Sequence, residues 1–511
     1  MSWADYTVKI DWNNDGDFGD ANEDITTDVM KITYWRGRTD DLGKAEPGGA
    51  RITVKDPTGK YVPENTLSAL YGDLVPNRPV RIQATFDGGG PYDLFYGYID
   101  DIIPDPTPNA QRAMIACVDG FDRLKRAKIS MAVDSTGLYS GLAGGAATGI
   151  VYTALSLAGW PVAKRTIDSG VDTYPVVFGE KERALTFLQQ VEQSEWSFMY
   201  INGAGNLCWE DRHYRISNAR CTGSNWTSTA ALYRKITPLE PCKTICNLMS
   251  ITAHPKTKQA LGVIWTLQDN VADSPYLSAL ASKTFVAHFA DANGRPNIAD
   301  DVVTPSVVGG DVEASSTTAG GGDLDANVSV TALVDNTNLF ADRADVKVTN
   351  DSATTPFYLT FLRVRGAIFE DEGELEIKSE DATSQNDYGI RDIDANLPFY
   401  QHAEVMQGVG DYIISQKKDP SSRYEIALSN KTNAILTEIL EREISDRITM
   451  QNADLNIDAD YFIEHMRHEI NPRAKTHECW WVVSEADDQM YWIMDTSQLG
   501  PGYEFPTRLA Y

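Results

Sequence analysis

Tyr6, Val8, Ile10 and Trp12 alternate with polar neighbours near the start of the chain, the period-two pattern of a strand with one buried face. Runs of the same kind follow at residues 29–35, 51–55, 80–86, 93–99 and 113–118. Turn chemistry separates them: Asn14-Asp15-Gly16, Pro57-Thr58-Gly59 and Asp87-Gly88-Gly89-Gly90. Short strands with such regular punctuation predict a small β-barrel or sandwich over residues 1–125.

Past residue 126 the period changes. Residues 146–158 read as a helix, with Gly159 placed at its C-terminal cap. A second helix is predicted over 180–194, where Ala184, Leu188 and Val191 recur at i, i+4 and i+7 and Leu185 widens the face. Residues 196–201 and 207–211 should form a hairpin across Asn202-Gly203-Ala204-Gly205-Asn206. This α+β unit covers 126–240. Strands return over 242–267, and between 300 and 370 the composition shifts to Gly, Ser, Thr, Val and Asp. There 327–333, 344–349 and 358–365 are strand-like, so 301–370 is expected to be an inserted β module of sandwich type. Residues 241–300 and 371–511 form the unit around it, with a helix at 401–416 and strands at 444–450, 461–470, 478–483 and 490–494. The fold class is therefore mainly β with α+β.

Composition adds scale and excludes some functions. With 511 residues, 42% apolar and 23% charged, the chain has material for three or four packed domains. A net charge of −28 argues against a surface that grips phosphates, which needs clustered Lys and Arg. It suits a surface that DNA slides past, and the plain alternative is solubility alone. Six scattered cysteines give no disulfide framework and fit a reducing compartment. The opening residues carry neither a basic nor an apolar leader region, so no secretory signal is expected. Residues 135–163 hold no charge, but Gly137, Gly141, Gly144, Gly145, Gly149, Gly159 and Pro161 break them up. A Gly-rich loop entering a short buried helix is expected there, and no membrane segment.

Five ordered elements then become recognisable. They are the acidic turn Ile10-Asp11-Trp12-Asn13-Asn14-Asp15-Gly16-Asp17-Phe18; Trp35-Arg36-Gly37-Arg38; Asp56-Pro57-Thr58-Gly59-Lys60-Tyr61-Val62-Pro63-Glu64-Asn65; Pro76-Asn77-Arg78-Pro79-Val80-Arg81-Ile82; and Leu94-Phe95-Tyr96-Gly97-Tyr98-Ile99. In the C-terminal third, Tyr388-Gly389-Ile390-Arg391, Ser445-Asp446-Arg447, Tyr461-Phe462-Ile463-Glu464 and Leu499-Gly500 continue the series. This ordered set resembles the tail-tip, or baseplate-hub, proteins of siphophages and related prophages. The family often has Gly where this chain has Ser445, and Gly again where it has His465. The resemblance implies a structural virion protein related to the central hub of contractile-tailed phages, assembled in the host cytoplasm and located at the tail tip. It implies a homotrimer in which two small β-barrel ring domains per chain build a pseudo-sixfold ring continuing the tail tube. Implied partners are a distal tail protein, the tape-measure protein, and tail fibres or a receptor-binding protein. Phage DNA would pass through the lumen without specific binding.

Asp11, Asn13, Asp15, Gly16 and Asp17 fit the opening of a Ca²⁺ loop, D-x-N-x-D-G-x, in which alternate oxygen ligands wrap a hard cation. The twelfth position is Asn22, with Glu23 one place late, and strands flank the loop, so an acidic hairpin tip is the plain reading. The expected metal set is Asp11, Asn13, Asp15, Asp17 and Glu23; no cofactor is otherwise required. His465, His468 and His477 near Cys479 raise a second metal possibility, but residues three apart on a strand face opposite ways unless a bulge intervenes. Cys242 and Cys246, with Cys208, His213 and Cys221, lack zinc-site spacing.

No G-x-S-x-G, H-E-x-x-H or P-loop is present, so no enzyme is expected. A glycosidase pair has no local signature in so acidic a chain. Two other classes stand beside the hub. One is a receptor- or carbohydrate-binding tail module, on the strength of the insert and of 11 Trp and 23 Tyr. The other is a cell-wall hydrolase, for which the last hub-like strand, close to Tyr511, leaves little chain.

Overall fold

The computed structural model describes residues 2–38, 44–105, 107, 111–134, 149–170, 176–229, 231–239, 244–267, 273–332, 343–400, 402–486, 491–492 and 508–509. It is mainly β. The first six strands are β1 (Asp5–Ile10), β2 (Val29–Gly37), β3 (Gly49–Lys55), β4 (Pro79–Phe86), β5 (Gly89–Asp105) and β6 (Arg112–Val118). They pair antiparallel in the order β1-β4-β5-β6-β3-β2. Alternation turns Tyr6, Val8, Ile32, Tyr34, Ile52, Val80, Ile82 and Ile115 into one core. β5 is longer than the predicted 93–99 because bulges, such as the one between Ile99 and Asp101, re-phase its alternation.

The sheet does not stop at β2. β2 pairs antiparallel with Ile457–Asn471, from Ile32 opposite Ile470 to Gly37 opposite His465. Thr476–Glu485, Arg423–Ser429 and Lys235–Leu239 follow in turn, while Arg447–Asn452 joins Ile457–Asn471 to Trp226–Thr229. One 12-stranded sheet therefore holds both ends of the chain. The closed barrels expected from the resemblance are not formed by this pairing: among the described residues its path stays open. Closing the first set would need β1 against β2, but the C-terminal strand occupies β2. The outer edge of β1 is covered instead by the returning chain, where Ile10 N donates to Glu23 O (2.9 Å) and Ile25 N donates to Val8 O (3.0 Å).

The helix Asn433–Glu441, which the hydrophobic pattern did not announce, straddles the join. The Thr432 side chain caps it by accepting from Ile435 N. Leu436 and Leu440 enter the core of the first set, whereas Ile435 and Ile439 enter that of the second.

In the middle of the chain, Lys128–Asp134 pairs with Val176–Arg183, and the helix that follows is Ala184–Glu195. It starts later than predicted because residues 180–183 extend a strand, tertiary pairing overriding local propensity. Ala184, Leu185, Leu188 and Val191 are buried as the spacing required. Trp196 ends the helix in the left-handed region, so the hairpin begins at Phe198 and runs Phe198–Ile201 against Leu207–Glu210. Of the charge-free stretch, residues 135–148 lie outside the described residues. The rest includes the eight-residue helix Ile150–Leu157, with Ala158 at its C-cap and Gly159 just past it at φ +72. No helix among the described residues is long and apolar enough to cross a membrane.

Leu248–Ala253 pairs with Leu375–Glu380 and Asp392–Asn396, under the helix Ala403–Lys417. Between these strands, the long strand Phe357–Asp371 pairs with five shorter ones, and Ser282–His288, Arg343–Asn350 and Val328–Ala332 form a second sheet. The two sheets share a core that contains Ile264, Leu277 and Phe285 as well as Val346, Leu359 and Leu362. Of the predicted strand at 490–494, Tyr491–Trp492 is a strand and the remainder lies outside the described residues.

Candidate functional site

The recognisable motifs converge on the join between the two strand sets. Gly37 has φ +95, and a Cβ there would lie 2.2 Å from the Glu464 carbonyl oxygen, so only glycine lets β2 approach its partner. The arginines on either side then reach across. Arg36, 4% exposed, meets Glu443 at 2.5 Å, and Arg38 meets Glu464 at 3.2 Å. Arg215 completes the clamp with two contacts to Glu464, at 2.5 and 3.1 Å, and Ser484 Oγ donates to it at 2.6 Å. Burial alone would raise the pKa of Glu464. The Arg215 and Arg38 guanidiniums outweigh it and hold the carboxyl well below the usual range.

A second cluster sits beside the first. Tyr200 OH and Ser445 Oγ donate to Glu210 at 2.9 and 2.5 Å, and Arg220 pairs with Asp446 at 2.6 Å. Ser445 lies at φ +68, which explains why glycine suits this position; here its hydroxyl also accepts from Arg215 at 3.0 Å. A cavity of about 190 Å³ opens next to these groups, lined by Arg38, Glu192, Phe198, Arg215, Phe462 and Glu464. Arg38 and Arg215 both lie over the Phe198 ring. The carboxylates of the seam are occupied by guanidinium or hydroxyl donors. Such an arrangement locks segments together and leaves Glu464 no readily transferable proton.

The other motifs singled out in the sequence are also architectural. Asp56 accepts from Lys60 N and Tyr61 N, Gly59 has φ +72, and Tyr61 OH donates to Asp28 at 2.8 Å. At Gly97 a Cβ would be 2.3 Å from the Val118 carbonyl oxygen.

The acidic turn brings three of its five expected ligands together. Asp11, Asp15 and Glu23 each place a carboxylate oxygen within 4.8 Å of the others, the one such grouping of His, Cys, Asp or Glu among the described residues. Asp11 and Glu23 are buried, at 0% and 2% exposure. Asn13 sits in the same turn: its Nδ2 donates to Asp15 and Asp20 at 3.0 and 2.7 Å. Asp17 is outside that grouping and accepts from Gly19 N at 2.7 Å. The one-residue excess before Glu23 is absorbed by Asn22, at φ +70, whose carbonyl accepts from Trp12 Nε1 at 3.1 Å.

The histidines separate as the strand period requires. His468 and His477 are buried and adjacent, while His465 is half-buried on the other face. A continuous hydrogen-bond chain runs from Tyr6 OH to His477 Nδ1 (2.7 Å), from His477 Nε2 to His468 Nδ1 (3.0 Å), and from His468 Nε2 to Cys479 Sγ (3.4 Å). Tyr34 stacks on His468 at 4.5 Å. Burial pushes His477 down to about 3 and His468 well below the ordinary imidazole value, so both are neutral. Cys208, Cys221 and Cys246 are buried without converging on a metal site among the described residues, and Cys242 lies outside them.

No family model matches the sequence, and no curated protein does. Solved structures do. The chain is similar to prophage tail proteins. The 43 kDa tail protein of prophage MuSo2 from Shewanella oneidensis is 10% identical, with 94% of this chain and 97% of that one covered and a TM-score of 0.46. A tail protein from Neisseria meningitidis MC58 is 9% identical over 95% and 97%, with a TM-score of 0.46. Prophage tail protein gp18 from Listeria monocytogenes EGD-e is 10% identical over 95% of each, with a TM-score of 0.39.

Proposed function

We propose that this protein is a structural subunit of a phage tail tip, a baseplate hub that builds a ring and catalyses nothing. One observation carries the reading: two β-strand sets from opposite ends of the chain lie side by side in one sheet, joined across β2 and Ile457–Asn471. The motifs shared with the hub family serve this join and its neighbouring turns, which is what a scaffold asks of its sequence. Three copies would place six strand sets around an axis, and Lys235–Leu239, the edge strand of the sheet among the described residues, offers backbone for such contacts. A lumen of acidic protein would let DNA pass without holding it. In this role the chain would meet a distal tail ring and the tape-measure protein and carry fibres or a receptor-binding protein.

Native mass spectrometry of the purified chain, with electron microscopy of any ring, tests the assembly. A trimeric ring is expected. A chain that stays monomeric at high concentration and occurs as a single copy in native tails would overturn the proposal. The same preparation should release no muropeptides or reducing sugars from cell walls; release that is lost on one carboxylate substitution would make it a hydrolase.

A further inference from the structure

From the geometry of the acidic turn we infer a Ca²⁺ site at the end of β1, held by the carboxylates of Asp11, Asp15 and Glu23 with the Asn13 side chain beside them. The clustering of acids is only half of the reason. The other half is Glu23: its Oε2 accepts from Asp20 N at 2.9 Å, but its Oε1 has no hydrogen-bond partner and no solvent, in a residue 2% exposed. A buried carboxylate oxygen left bare is costly unless something fills the place.

Among the described residues no Lys or Arg pairs with Glu23. No Lys or Arg occurs between residues 10 and 30, where Asp11, Asp15, Asp17, Asp20, Glu23, Asp24 and Asp28 do. The nearby Lys9 ammonium donates to Phe18 O at 3.0 Å, and the Arg81 guanidinium lies over the Phe18 ring. Asp11, Asp15 and Glu23 hold carboxylate oxygens within 4.8 Å of one another, where like charges repel. A divalent ion would reverse that repulsion.

Size and chemistry select calcium. Oxygens within 4.8 Å of one another fit around one Ca²⁺, whose bonds of about 2.3–2.6 Å allow separations up to about 5 Å across the ion. Mg²⁺ demands a tighter octahedron and keeps its waters. Asn13 presents its amide nitrogen to Asp15 and Asp20; turning the amide over would present oxygen to the ion and give up the long bond from Asp15 N to Oδ1 (3.3 Å). Bound there, the ion would tie the end of β1 at Asp11 to the segment that covers its edge at Glu23.

The full chain, stripped with EDTA and dialysed, provides the test. Calcium at a hundredfold excess over its dissociation constant should raise a thermal midpoint by about 3 °C or more, and magnesium by clearly less. Terbium should luminesce on tryptophan excitation through Trp12, and calcium should displace it. Asp15→Asn and Glu23→Gln should lose both responses. Trp12→Phe should keep the calcium shift and lose most of the sensitised emission, which separates loss of the site from loss of the fold. If the wild type melts identically in EDTA and in millimolar calcium, and terbium emission is absent or indifferent to calcium, the turn is an acidic hairpin tip and nothing more.

Discussion

Glu464 and Glu192 line the same cavity, both buried, yet their surroundings are opposite in kind. Glu464 belongs to the seam and meets two guanidiniums and a hydroxyl. Glu192 belongs to the α+β helix Ala184–Glu195, where its oxygens accept from Ala45 N at 3.0 Å and Met199 N at 2.9 Å. Burial raises its pKa to about 7, and those two N–H donors, with the more remote Arg38 and Lys44, hold it no lower. Asp119 repeats the pattern, raised to about 7 by burial while accepting from Gly48 N and Phe121 N. Two amide donors position each of these buried carboxylates but leave its pKa raised, whereas two guanidiniums bring Glu464 below the usual range. The seam joins distant segments through charge, whereas the α+β core fastens its loops through neutral donors.

Removing one partner from the seam should have the largest effect. Glu464→Gln leaves Arg215 and Arg38 facing an uncharged amide, and a loss of about 3–5 kcal/mol is expected, read by chemical denaturation near pH 7. An unchanged midpoint would mean the clamp contributes nothing. Because its folded pKa lies below the free value, Glu464 contributes stability that is present above about pH 4.5 and lost as pH falls.

Glu192→Gln should cost less, roughly 1–3 kcal/mol, because its amide group sets a donor against Ala45 N or Met199 N. Its pH dependence should run the other way. With a folded pKa near 7, the wild-type carboxyl contributes most below its unfolded value of 4.5 and loses that contribution as pH rises through 7. The penalty of Glu192→Gln should therefore shrink between about pH 5 and 8, while that of Glu464→Gln grows over the acid range. Parallel profiles for the two variants would erase the distinction between the regions.

The neutral histidines give a third reading of the seam. His477 is held near 3, so the unfolded chain binds a proton between about pH 6.5 and 3 that the folded chain refuses, and stability falls as pH drops through that window. His477→Phe should flatten this slope. Tyr6→Phe, the mildest change, should cost about 1 kcal/mol by removing one hydrogen bond to His477.

The local periods announced β1 to β6 and the helix Ala403–Lys417, because each alternates or repeats against a single buried face; the Phe198–Ile201 hairpin was legible from its Asn202–Asn206 turn instead, since its strands are buried on both faces. They were silent on the pairing of β2 with Ile457–Asn471, since nothing in either strand's own pattern names a partner so far away. The helix Asn433–Glu441 escaped because its apolar residues serve two cores, although Thr432 with Ile435, Leu436, Ile439 and Leu440 carried a readable cap and face. At the acidic turn the residue types were legible. Which of them converge was not, because the positive φ of Asn22 decides how Glu23 returns. Ser445 and His465 were visible only as departures from a family habit; the left-handed backbone at Ser445 and the bulge between Ile463 and His465 give those departures a physical setting.

The pairing of β2 with Ile457–Asn471 also sets an order in time. Arg36 and Met466 face each other across 430 residues of chain. At a synthesis rate of about 5–20 residues per second, roughly 20–90 seconds separate their emergence from the ribosome. Throughout that interval the first strand set carries an open edge at β2 and lacks Leu436, Leu440 and Ile470 from its core. The nascent chain thus waits with a sticky strand exposed, and the sheet is finished only when its last part arrives.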